Sequence, residues 1–192
     1  MKSFLIPSFT YILIAFPPMG AFADFLSVTN TSVGPLKSVT ACSVENLKSL
    51  LPGHTIFAKE EKAKALRMPV TPIWVAKDKI LQMIIMPQEK DRYRIDHIIV
   101  KSPKVDTFFK LRVGDTFLKA RQYLNLEKCV STKRFQIDSH IACPALLSPN
   151  IWYGFNGSWP KEYGDRPPNV DIVPTQVLAQ WKIYEVIWFP QA

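Results

Sequence analysis

Arg94-Ile95-Asp96-His97-Ile98-Ile99-Val100 and, 88 positions later, Lys182-Ile183-Tyr184-Glu185-Val186-Ile187-Trp188 carry the reading of the fold. The first lies in a strand predicted over Tyr93–Lys101, with Ile95 and Ile99 on one face and Ile98 and Val100 on the other. Apolar residues on both faces predict a central strand rather than an edge. The second lies in a closing strand over Lys182–Phe189, and its basic, aliphatic and alternating positions coincide with those of the first. Two explanations stay open. Either the chain is an internal duplication, each copy one helix followed by antiparallel strands, or any two buried strands of this length share such a pattern.

Outward from the first strand, Pro69–Ala76 and Lys79–Met86 read as two strands about a short Lys77-Asp78 turn. Ala41–Leu51 reads as a helix capped by Thr40 and stopped by Pro52-Gly53, with Val44, Leu47 and Leu51 at helical spacing. Between them, the run Glu60-Glu61-Lys62-Ala63-Lys64 reads as a solvated helical turn or hairpin tip. Asp24–Leu36, rich in Ser, Thr and Val, reads as extended.

The second half follows the same order. Val113-Gly114-Asp115-Thr116 caps a helix running to about Asn125, with Phe117, Ala120 and Leu124 inward. Strands follow around Cys129, over Ile141–Cys143 and over Asn150–Phe155, the last ending at an Asn156-Gly157 turn. A long irregular loop, Ser158–Val173, precedes a short helix capped by Thr175 that carries Val177, Leu178 and Trp181. This order predicts an α+β fold, an antiparallel sheet with helices on one face. On the duplication reading, the repeats span about 36–101 and 112–190.

The N-terminus has the three-part plan of an export signal: Lys2, an apolar stretch from Phe4 to Phe16, then Ala21-Phe22-Ala23. Pro7, Pro17, Pro18 and Gly20 interrupt the apolar run, which falls short of the roughly 20 residues of a spanning helix. We therefore expect residues 1–23 to be removed, leaving a single domain over 24–192 with no transmembrane helix. The 16 prolines against 7 glycines predict loops and edge strands, because proline cannot donate to a sheet ladder. A net charge of +8 favours anionic partners such as lipid headgroups, cell-wall polymers or acidic proteins. Nucleic acid is not expected, since no recognition motif is present and an exported protein would not meet it.

Three cysteines are present, Cys42, Cys129 and Cys143. In an oxidising compartment two of the three should pair. Cys129 and Cys143 flank Val130–Ala142, a segment suited to a hairpin, so they are the expected disulfide and Cys42 the free, buried thiol.

Several of these segments resemble a known family. Val113-Gly114-Asp115-Thr116-Phe117, the cysteine pair, Ile151-Trp152-Tyr153-Gly154-Phe155 and the ending Val177-Leu178-Ala179-Gln180-Trp181 with Ile187-Trp188-Phe189-Pro190 are similar to segments of the RpoE-regulated envelope lipoproteins of unknown function, the YfeY-like family. The resemblance covers roughly Gly34 to Pro190. It implies an envelope compartment and a fold, and it supplies no catalytic residues. It also implies a lipid anchor, yet this chain has no cysteine directly after its signal. The helix-plus-hairpin order looks in addition like the β-lactamase-inhibitor-type fold, an analogy at the level of fold alone.

For chemistry, Cys129, His140 and Cys143 have the spacing of a partial metal site, but a fourth ligand is missing and exported cysteines oxidise. Cys42 with His54 or His97 is the one conceivable thiol–base pairing. No nucleophile elbow, phosphate-binding loop or zinc-protease helix is found. The sequence therefore calls for no catalytic residue, no metal and no cofactor. The aromatics Trp152, Tyr153, Phe155, Trp159 and Tyr163 give a better lead, with Trp159 and Tyr163 as candidate binding residues on the Ser158–Val173 loop and strand alternation sending about half of the others inward. The expected function is that of a non-catalytic periplasmic binding protein of the bacterial envelope. Its partner would be an envelope protein or an anionic envelope component. The alternatives are a small cell-wall or lipid-modifying enzyme, or an inhibitor of a cell-wall hydrolase.

Overall fold

The computed structural model describes residues 26–60, 69–131, 141–158 and 175–191. The segment read as an export signal, most of the Glu60–Lys64 run, His140, and the loop residues Trp159 and Tyr163 lie outside the described residues.

Three short strands open the chain, β1 (Ser27–Val28), β2 (Ser32–Val33) and β3 (Leu36–Lys37). With β8 (Asp106–Thr107) they form a four-stranded sheet in the order β3-β2-β1-β8, in which β1 and β8 are parallel. The sequence shows this segment only as extended, because strands of two residues carry no readable period.

The main sheet has eight strands and is antiparallel throughout. Its first half comprises β4 (Thr55–Ala58), β5 (Ile73–Lys77), β6 (Ile80–Pro87) and β7 (Ile95–Val100). The second half comprises β9 (Val130–Ser131), β10 (Ile141–Ala145), β11 (Ser148–Asn156) and β12 (Lys182–Trp188). The order is β4-β5-β6-β7-β12-β11-β10-β9, so the closing strands of the two halves meet at the centre.

Register makes the relation sharper. Val100 pairs with Val186, Ile99 with Ile187 and Ile98 with Trp188. Adding 88 to any β7 position yields its β12 counterpart, and that shift maps this ladder onto itself. The two halves thus stand about an approximate two-fold axis through the Ile99–Ile187 pair.

One face of the sheet carries the main core. Ile98, Val100, Val186 and Trp188 join Val28 and Val33 of the small sheet in one buried cluster. Three helices among the described residues add to that same cluster: α1 (Val44–Leu50) through Leu47, α2 (Phe117–Ala120) through Phe117 and Ala120, and α3 (Thr175–Ala179) through Leu178. The α+β class and the placement of these described helices on one face follow.

Boundaries differ from the sequence reading for local reasons. The first helix starts at Val44 because Ser43 Oγ accepts from the Asn46 amide, while Thr40 Oγ1 instead accepts from Lys37. The second is one turn of α-helix capped by Thr116, followed by a 3₁₀ turn over Arg121–Tyr123. Its inward residues, Phe117, Ala120 and Leu124, are buried as expected. The β5–β6 turn is Asp78-Lys79, both with positive φ, one residue later than expected. Ile95 joins the main core rather than the face of Ile99, because the register shifts between Met86 and Pro87.

Candidate functional site

The opposite, outer face of the sheet holds a second apolar cluster, with Val70, Met86, Ile99, Ala142 and Ile187 buried and Ile84, Trp152 and Phe189 packed against them. Strand alternation accounts for this. On β11 it sends Tyr153 and Phe155 into the main core and leaves Trp152 on the outer face.

Beside this cluster lies a shallow, open groove of about 450 Å³ lined by Pro149, Asn150, Trp152, Phe189, Pro190 and Gln191. Its walls are fixed by hydrogen bonds to backbone carbonyls. Phe189 N–H donates to Asn150 O at 2.8 Å, and Trp152 Nε1–H donates to Pro149 O at 2.9 Å. Asn150 Nδ2 donates to Asn30 O at 2.7 Å, tying the groove to the small sheet. Asn150 Oδ1 is buried without a hydrogen-bond partner among the described residues.

A row of rings crosses the face. Trp152 and Phe189 meet edge to face at 6.3 Å, and Phe189 and His97 lie 5.5 Å apart. His97 Nδ1 is 2.7 Å from Asp96 Oδ2. A carboxylate only accepts, so the His97 Nδ1–H donates in this contact and orients the ring. The hydrogen bond from His97 also holds the Asp96 carboxyl below its ordinary range.

The two-fold relation pairs this contact with a different one. His97 and Phe189 flank the central ladder at one end, and Lys101 and Glu185 flank it at the other. Lys101 Nζ is 2.6 Å from Glu185 Oε2 and lies 4.2 Å from the centre of the Tyr184 ring. The Glu185 side chain is wholly buried, and its Oε1 has no partner among the described residues. Symmetric backbone positions therefore carry an aromatic contact on one side and a buried ion pair on the other.

The remaining sequence candidates fall as follows. Cys129 and Cys143 form a disulfide. With both thiols bonded, the partial metal site built on them does not form, and no group of three His, Cys, Asp or Glu side chains suited to a metal occurs among the described residues. Cys42 is a free, buried thiol in the main core, while His97 sits on the outer face, so the sheet separates the two. His54 Nδ1 faces Pro52 O. Burial pushes the Cys42 thiol up to about 11, so it is protonated and unreactive at neutral pH. The role of His97 and Phe189 was missed in the sequence because their contact joins residues 92 positions apart. The 88-residue match was the signal that could have paired their strands.

These features define a small, disulfide-bonded α+β protein with a two-fold-related eight-stranded sheet and an aromatic groove on its outer face. The chain belongs to the family described as protein of unknown function, DUF1131, whose model matches residues 11–190. It is also similar to the uncharacterized protein yfeY from Escherichia coli, whose crystal structure matches with a TM-score of 0.60 at 19% identity, covering 85% of this chain and 99% of that one. At that identity the likeness is one of fold. A search of the curated proteins finds no match.

Proposed function

We propose that this protein is an exported, non-catalytic binding protein of the bacterial envelope, and that the Trp152–Phe189 groove is its recognition site. The groove carries the reading. Its aromatic walls offer apolar contact area, and Gln191 offers polar contacts at its margin. The Cys129–Cys143 disulfide fits an oxidising compartment, where such bonds form and persist. Export would leave a mature chain beginning at Asp24.

The test is capture from envelope extracts by the wild-type chain and by the Trp152→Ala, Phe189→Ala double variant. A specific component retained by the wild type and released by the variant, with the fold intact by circular dichroism, supports the groove. Equal retention by both proteins sinks it. A second reading, a small cell-wall or lipid-modifying enzyme, draws on the Asp96–His97 pair, an imidazole oriented as a general base beside the groove. Turnover of extracted glycan or lipid that His97→Gln abolishes would favour it.

A further inference from the structure

We propose that the Leu146-Leu147 turn and the basic turns beside it form a docking surface for an anionic lipid membrane. Ala145 pairs with Ser148, so Leu146 and Leu147 are the two turn residues of the β10–β11 hairpin. They are 56% and 74% exposed. Two-residue turns are normally made by Asn, Asp and Gly, which suit the backbone and the solvent. The equivalent turn of the first half is Asp78-Lys79, closed by Lys77 and Ile80. Paired leucines there serve neither the turn nor the core.

Contacts gather more apolar surface at the tip. Leu146 N–H donates to Tyr123 O at 2.8 Å. Tyr123 stacks on Phe109 at 5.3 Å, and Phe109 meets Phe108, itself 62% exposed, at 5.2 Å. Asn125 N–H donates to Pro144 O, which brings up the 3₁₀ turn Leu126–Lys128 with its exposed Leu126.

The charge around this surface is positive. Lys110, Arg121 and Lys128 stand exposed on the same connections; no described acidic side chain forms a salt bridge with them, and Asp106 attracts Lys110 at longer range. Arg112 and Lys119, by contrast, are held by Asp106 and Asp115. Glu127 is the one acidic residue within these 3₁₀ turns. Exposed leucines with exposed cations on the adjoining turns suit a lipid interface, where the apolar tip enters the acyl boundary and Lys and Arg meet headgroup phosphates. A protein interface is a poorer fit, since lysine is depleted there. Attachment would be peripheral, because no described helix is long and apolar enough to cross a membrane. The proposal rests on the reading of the protein as an envelope component.

The experiment is co-sedimentation of protein beginning at Asp24 with vesicles of phosphatidylglycerol, and separately of phosphatidylcholine. We expect binding to the anionic vesicles alone, weakened by added salt. We expect at least about tenfold weaker binding for Leu146→Ser with Leu147→Ser, at an unchanged melting temperature because both side chains are exposed. Arg121→Glu with Lys128→Glu should weaken binding without touching the leucines. Sedimentation with neither vesicle, or equal binding by wild type and the serine variant, overturns the proposal. So does a stable dimer that the serine variant converts to monomer. None of these outcomes depends on the groove, so the two readings fail separately.

Discussion

Lys101 and Glu185 form a buried ion pair across the two central strands, in the position that the two-fold relation assigns to His97 and Phe189 on the other side of the Ile99–Ile187 pair. Burying two charges costs several kcal/mol per ion, and their mutual attraction offsets that cost only while both are present. Lys101→Met should therefore lower stability by about 3–5 kcal/mol by stranding Glu185. The double variant Lys101→Met, Glu185→Leu should recover much of the loss. Urea unfolding of the three proteins measures this, and a double variant less stable than the single would refute it.

Gly157 is demanded by packing. A Cβ there would lie 2.6 Å from Cγ and 2.7 Å from Nε1 of the buried Trp181. Gly157→Ala should cost about 1–3 kcal/mol, the range for overpacking a filled core. Adding Trp181→Phe, which shrinks the ring, should reduce the increment caused by alanine. Thermal melts of the four-member cycle read that coupling directly.

The disulfide spans 14 residues of sequence. Closing a loop of about 15 residues restricts the unfolded chain by about 3 kcal/mol in the chain-entropy model. Cys129→Ser with Cys143→Ser should lower the unfolding free energy by that order, and reductant should then have no further effect on the variant. A thiol reagent added to the native wild type should leave Cys42 unlabelled until the protein unfolds.

Alkaline pH should destabilise the fold. Burial pushes Cys42 from 9.0 up to about 11 and Tyr153 from 10.0 up to about 12, the latter partly opposed by the hydrogen bond from its hydroxyl to Thr107 Oγ1. Above each ordinary value the unfolded chain loses a proton that the folded chain keeps. The contribution of each group is thus whole below pH 9 to 10 and is lost as pH rises through 11 to 12. Unfolding midpoints measured across that window should fall. Cys42→Ala should remove the earlier part of the fall and leave the later part.

Much of the architecture is legible in the residues. Ile98-Ile99-Val100 is apolar on both faces, which marks a central strand, and the 88-residue match gives Val186-Ile187-Trp188 of the closing strand the same apolar pattern. Phe117, Ala120 and Leu124 announce an inward face through their spacing alone. These features are local, set by side-chain period and size, and they survive errors of a residue or two in any boundary. Other features are not local. The ladder that seats Ile99 against Ile187, the ring contact of His97 with Phe189 and the ion pair of Lys101 with Glu185 join residues more than 80 positions apart. Trp152 and Tyr153 are adjacent aromatics of similar character, and only the strand's place in the sheet sends one to the outer groove and the other to the core. Sequence determined which segments must be strands and which faces must be buried, because apolar period is written residue by residue. The tertiary structure decided which of those strands lie side by side, because cross-strand contacts depend on a register that no single segment contains.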